Sequence, residues 1–119
     1  MSTESAAALR EQTCRPCEGG VESLTASESN RLLQDVDNWE LAEDGHKIRR
    51  RWEVQDFLAG IEFLQKIADL AEQQGHHPDI HLTGYRNVTI ELTTHAIGGL
   101  SENDFILAAK IDQLPVSLK

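Results

Sequence analysis

The chain has 119 residues, 39% of them hydrophobic and 26% charged, with a formal net charge of −9. That length supports one hydrophobic core rather than two, no apolar run approaches the roughly 20 residues of a membrane-spanning helix, and the acidic balance argues against a binder of the nucleic-acid backbone. Ala6-Ala7-Ala8-Leu9 is too short for a secretory h-region and is flanked by Glu4 and Glu11, so the expected compartment is the cytosol.

Residues 1–22 read as a flexible N-terminal extension. They are small and polar, show no hydrophobic period, and end in Gly19-Gly20 after Pro16. The segment holds both cysteines, in Cys14-Arg15-Pro16-Cys17. A structural zinc site normally needs four such ligands, and no second CxxC or HxxxH completes one. A thioredoxin-type role needs a βαβ context that this segment lacks. Three readings stay open: reduced thiols without chemistry, a metal or disulfide function shared between subunits, and redox catalysis.

The folded domain, residues 23–119, opens with a helix. Thr25 and Glu28 form a Thr-x-x-Glu capping box, and Leu32, Leu33 and Val36 supply its buried side. Asp37-Asn38 breaks it. Two strands follow, Trp39–Ala42 and Lys47–Val54, joined by the turn signal Glu43-Asp44-Gly45. Alternation puts Ile48, Arg50, Trp52 and Val54 of the second strand on one face, so Arg50 either escapes at the sheet margin or points into a cleft. Lys47, Arg49, Arg50 and Arg51 also make a local basic cluster. It reads as a solvated strand edge that discourages aggregation, or as a contact for an acidic partner or an electron-rich ligand.

Residues 55–74 form the longest helix. Phe57, Ile61, Leu64, Ala68 and Ala71 make one apolar stripe, and Phe63, Ile67 and Leu70 a second beside it. Together they exceed what one sheet face covers, which predicts contact with another subunit. Gly75 stands where a left-handed C-cap belongs. A second hairpin then runs from Ile80–Thr83 through Gly84-Tyr85-Arg86-Asn87 to Val88–His95, with Thr89, Glu91, Thr93 and His95 on one face. After Gly98-Gly99, Ser101 caps a last helix with Phe105, Ile106, Ala109 and Ile111 spaced for burial before Pro115. The order α-β-β-α-β-β-α predicts an α+β domain, a four-stranded antiparallel sheet with the helices on one face.

Three of the five histidines, His76, His77 and His95, fall at the two ends of this second hairpin. Imidazole is the side chain best suited to exchange protons near neutral pH, and a chain folding back on itself brings the two ends together. Pro78 biases His77 toward extended backbone, so His76 and His77 point to opposite sides and cannot easily share a metal. They line two walls of a pocket instead, with His95 as a third. Glu72 lies one helical turn before His76, and Asp104 in the first turn of the last helix; either can orient an imidazole. Asp104 also completes a Ser-x-x-Asp capping box with Ser101, which is reason enough for its presence. His46 and His81 have no such company and read as surface residues.

The series Glu72-x3-His76-His77-Pro78, Tyr85, Thr94-His95, Gly99-Leu100-Ser101 and Asp104 closely resembles the pterin-4a-carbinolamine dehydratase family. The resemblance covers about residues 24–114, including Trp39 and Asp56-Phe57. It implies the same four-stranded α+β fold, assembly as a homodimer or homotetramer, and removal of water from 4a-hydroxytetrahydropterin to give quinonoid dihydropterin, a step in the recycling of tetrahydrobiopterin. It implies neither a metal nor an organic cofactor. Carried over residue by residue, His76 and His95 are the proton-transfer pair, His77 with Pro78 positions the pterin, Asp104 polarises a histidine, Glu72 supports the pocket, and Trp39 walls it. The CxxC extension lies outside this pattern.

The rival reading is a non-catalytic binding protein on the same fold, since relatives of this family serve as a dimerisation cofactor for a transcription factor or as an assembly chaperone for Rubisco. The wide apolar helix 55–74 suits a protein partner. Retention of all three histidines favours the enzyme.

Overall fold

Two hairpins and the helices that link them build the domain. A computed structural model describes residues 8–12, 14, 23–36 and 38–119. Helix α1 spans Ala26–Leu33, strands β1 Glu40–Ala42 and β2 Lys47–Glu53 follow, then helix α2 Phe57–Gln74, strands β3 Asp79–Thr83 and β4 Asn87–Leu92, and helix α3 Glu102–Ile111. A helical turn at residues 8–11 precedes α1. The four strands form one antiparallel sheet in the order β1-β2-β4-β3. This is the expected α+β architecture.

The capping signals read from sequence are formed. The Glu28 N–H donates to Thr25 Oγ1 at 3.1 Å, and the Thr25 N–H to Glu28 Oε1 at 2.8 Å. Asp56 caps α2 by accepting the Ala59 N–H at 2.8 Å, and Gly75 ends it at φ 66°, a left-handed conformation that glycine adopts without strain. Asp44 and Gly45, both at positive φ, turn the first hairpin through a 3-10 turn.

Strand alternation decides which face is buried. On β2 and β4, Ile48 pairs with Leu92, Arg50 with Ile90 and Trp52 with Val88, and all but Arg50 are buried. The helices cover this face. Phe63 and Ile67 of α2 pack onto it, each worth about 1.5–3 kcal/mol on burial, while Trp52 meets Trp39 and Phe63 edge-to-face at centroid distances of 5.9 and 5.0 Å. Gly60 lets α2 approach β3, since a Cβ there would meet Leu82 Cδ1 at 3.0 Å.

The apolar surface of α2 exceeds what the sheet covers: Phe63 and Ile67 are core, whereas Phe57, Ile61 and Ala68 of the other stripe are exposed, and only Ala71 at its far end is buried. Two expectations change. The basic cluster is no strand edge, because β2 lies inside the sheet: Arg49 Nη2 and Lys47 Nζ reach the Glu91 carboxylate at 2.7 and 3.8 Å, and Arg50 Nη1 reaches Asp112 Oδ1 at 2.6 Å while its guanidinium lies 4.5 Å from the Trp52 ring centroid. The return strand stops at Leu92, and His95 opens a 3-10 turn, His95–Ile97. Strand alternation therefore does not aim His95; the turn does.

The expected flexible extension of residues 1–22 lies mostly outside the described residues, as does Cys17. Leu9 and Cys14 within it are buried against the core.

Candidate active site

Two chain ends converge at one edge of the domain. The first leaves α2 through the Gly75 cap, where the Gly75 and His76 amides both donate to the Ala71 carbonyl, at 2.9 and 3.3 Å. That turns the chain out of the helix and delivers His76, His77 and Pro78 ahead of β3. The second leaves β4 at Leu92 and closes a small loop, in which the Thr94 and Gly99 backbones bridge each other and Gly98 takes φ 67°. Between them lies a cleft of about 240 Å³ lined by Gly75, His76, His77, Thr93, Thr94, His95 and Ala96. A larger groove of about 420 Å³ on the uncovered face of the sheet, lined by Arg51, Glu53, Thr83, Asn87 and Thr89 among others, contains no histidine.

Asp104 organises the cleft from beneath. It is fully buried, and its carboxylate accepts three hydrogen bonds: His76 Nε2–H to Oδ1 at 2.7 Å, and the Thr94 hydroxyl and Ser101 N–H to Oδ2 at 2.8 and 3.0 Å. The Thr94 hydroxyl, having donated to Asp104, accepts from the Ser101 hydroxyl at 2.8 Å. A carboxylate so supplied is a fixed acceptor, which selects the His76 tautomer with its proton on Nε2 and leaves Nδ1 as the ring atom for proton exchange. Asp104 also closes the capping box of α3 with Ser101, so one carboxylate makes both contacts.

The other expected site residues separate. His77 lies on the cleft and its Nε2 contacts Glu72 Oε2 at 2.7 Å, so Glu72 supports His77 rather than His76; both side chains are mostly exposed. His95 is exposed on the cleft's far wall. Pro78 is half-buried behind His77 and outside the lining. Trp39, expected as a wall, is core instead: it is 3% exposed, and its indole N–H donates to Asp112 Oδ1 at 2.9 Å. A tryptophan between a helix and a strand gives the same sequence signal in either role. Sequence reasoning missed Thr94 and Ser101 as members of the network. The signal was there, because Thr94 continues the every-second-residue series of Val88, Ile90 and Leu92 and so belongs to the buried face, where a hydroxyl needs a partner.

Among the described residues, no three His, Cys, Asp or Glu side chains gather as a metal-binding set. No helix among them is long and apolar enough to cross a membrane.

Residues 22–114 match the family model described as pterin 4 alpha carbinolamine dehydratase. The chain belongs to that family. It is 50% identical over 115 residues to an Arabidopsis thaliana protein named pterin-4-alpha-carbinolamine dehydratase 2, mitochondrial; the match covers 94% of this chain and 62% of that one, so the chain spans under two thirds of this relative's length. Among solved structures it resembles a transcriptional coactivator/pterin dehydratase from Brucella melitensis, with TM-score 0.70, 32% identity, and coverage of 76% of this chain and 96% of that one. It also resembles a pterin dehydratase-like protein described as a RuBisCO assembly factor in the alpha-carboxysome, with TM-score 0.53, 25% identity, and coverage of 63% and 86%. The family segment contains the whole histidine–aspartate cleft.

Proposed function

We propose that this protein is a 4a-hydroxytetrahydropterin dehydratase, and that residues 23–119 carry the activity. One observation supports this above the others: a buried carboxylate fixes His76 at 2.7 Å on a cleft that His77 and His95 also line. Dehydration breaks the C4a–O bond of the substrate, with the electron pair leaving on oxygen. The hydroxyl takes up a proton and departs as water, while the adjacent ring nitrogen gives up its proton and forms the C=N bond of the quinonoid product. Protons are exchanged and no electrons are transferred, so two positioned acid–base groups suffice. His76, working through Nδ1, and His95 are that pair. Asp104 holds His76 in tautomer and orientation and balances the imidazolium that forms. His77, steadied by Glu72, binds the pterin ring.

Stopped-flow absorbance of freshly generated 4a-hydroxytetrahydropterin tests the reading. The wild type accelerates decay of the substrate over buffer, and the His76→Ala/His95→Ala double variant does not; no acceleration by the wild type overturns it.

A homodimer or homotetramer in the cytosol is part of this reading. It is supported by Phe57, Leu58 and Ile61 on α2, which are 54%, 63% and 44% exposed. The same patch supports the second reading, a protein-binding role on this fold. Sedimentation of the wild type and a Leu58→Glu/Ile61→Glu variant separates them: a self-associating patch gives a wild-type mass well above the 13.3 kDa of one chain that falls in the variant.

A further inference from the structure

The proposed proton chemistry draws on no residue of the CxxC segment, yet its first cysteine touches both elements that carry the His76–Asp104 pair. The Cys14 N–H donates to Gln74 Oε1 at 2.9 Å, and the Cys14 Sγ–H to the Asn103 carbonyl at 3.6 Å. Gln74 is the last residue of α2, two before His76, and Asn103 directly precedes Asp104. The segment is anchored independently of these bonds. Leu9 is 4% and Cys14 8% exposed, both within the hydrophobic core cluster, and Lys110 Nζ of α3 donates to the Arg10 carbonyl at 2.7 Å. Gln74 and Asn103 lie 29 positions apart in sequence. A segment from the far N-terminus is therefore fastened to both.

We propose that residues 8–12 and Cys14 are a positioning strap for the acid–base pair: by tying the end of α2 to the start of α3 through Cys14, they hold His76 Nε2 against Asp104 Oδ1. The proposal rests on the dehydratase reading. His76 needs such help because it follows the helix rather than belonging to it. Its amide shares the Ala71 carbonyl with that of Gly75, the longer bond of the two at 3.3 Å, and past a left-handed cap the chain has no further helical hydrogen bond to fix its direction. Asp104, by contrast, is held by Thr94 and Ser101 whatever α2 does. Loss of the strap therefore loosens the imidazole relative to the carboxylate, a misplacement felt in the proton-transfer step more than in binding, since His77 and Glu72 lie outside the strapped contact. The Sγ–H bond is the weaker of the two and the backbone bond to Gln74 the stronger. Gln74 and Cys14 are thus positioning residues; neither lines the cleft.

The test uses the full chain. Gln74→Ala removes the acceptor at a partly exposed helix end, where alanine favours the helix. Expected are a fall in kcat of about one order of magnitude with KM nearly unchanged, and, in 15N-labelled protein, a His76 Nε2–H proton resonance in the wild type, from its hydrogen bond to Asp104, that is broadened or lost in the variant. Gln74→Glu, which keeps an acceptor, restores both. Leu9→Asp, which releases the segment from a distance, reproduces the Gln74→Ala result. If Gln74→Ala and Leu9→Asp both keep the wild-type kcat and the wild-type resonance, the strap positions nothing and the proposal falls. If the wild type itself fails to dehydrate the pterin, the dehydratase reading fails instead, and the resonance still decides whether the strap holds His76.

Discussion

Asp104 holds His76 at 2.7 Å with a carboxylate that no solvent reaches, although the two lie 28 positions apart in sequence. The same carboxylate closes the capping box of α3 by accepting the Ser101 N–H. One side chain thus ties the register of a helix to the tautomer of an imidazole, and the two functions cannot be varied independently.

Asp104→Asn is the direct consequence. The amide keeps the size but loses the charge and one acceptor oxygen, so it cannot take the Nε2–H of His76 and the donors of Thr94 and Ser101 together. The expected result is a kcat lowered about 100-fold, within the range that a positioned acid–base group contributes, with a smaller change in KM. Steady-state dehydration kinetics measure both.

Thr94→Val keeps the shape of a 3%-exposed side chain while removing the hydroxyl that donates to Asp104 and accepts from Ser101. The buried Asp104 carboxylate and the partly buried Ser101 hydroxyl each lose a partner, which costs about 1–3 kcal/mol of stability. Urea unfolding should show a lower midpoint with an unchanged slope. A midpoint equal to that of the wild type would mean that the hydroxyl network adds nothing to folding.

His77 and Glu72 make a contact of the same 2.7 Å length in a different setting, with side chains 62% and 77% exposed. An exposed pair contributes at most about 1 kcal/mol. Glu72→Gln should therefore change KM by less than about fivefold, whereas His77→Ala removes the binding group itself and should raise KM more than it lowers kcat. Equal losses of kcat and kcat/KM in His77→Ala would move that histidine into the catalytic pair.

Glu91 supplies a pH dependence of stability. The hydrogen bond from Arg49 holds its carboxyl below the ordinary 4.5, with His81 and Lys47 adding to the effect and partial burial opposing it. A depressed folded pKa stabilises the fold above the unfolded value and ceases to do so as the pH falls through the folded one. Arg49→Met should thus be less stable than the wild type at neutral pH, and the gap should narrow well below pH 4.5. Urea titrations at the two ends of that range check the sign.

Much of the fold could be read from the sequence because its signals are local. The Thr25–Glu28 box, the Gly75 cap and the alternation through Val88, Ile90 and Leu92 each depend on residues within one turn or one strand, and each is formed. Arg50 was different. Its sequence context marked it as out of place on an apolar face, but its partner Asp112 lies 62 residues away. Trp39 shows the same: the partner of its indole N–H is also Asp112, 73 positions away.

By itself, the sequence determined that three histidines and a capping aspartate stand at the two ends of one hairpin, and the family pattern named a substrate for them. Only the tertiary structure decided how they divide. Asp104 went to His76 and Glu72 to His77, the aim of His95 passed from a strand to a 3-10 turn, and Cys14 came to rest behind the pair. The physical reason is that periodicity fixes which face a side chain takes, whereas a hydrogen bond of 2.7 Å also depends on where two distant chain ends stop, and that is set by packing.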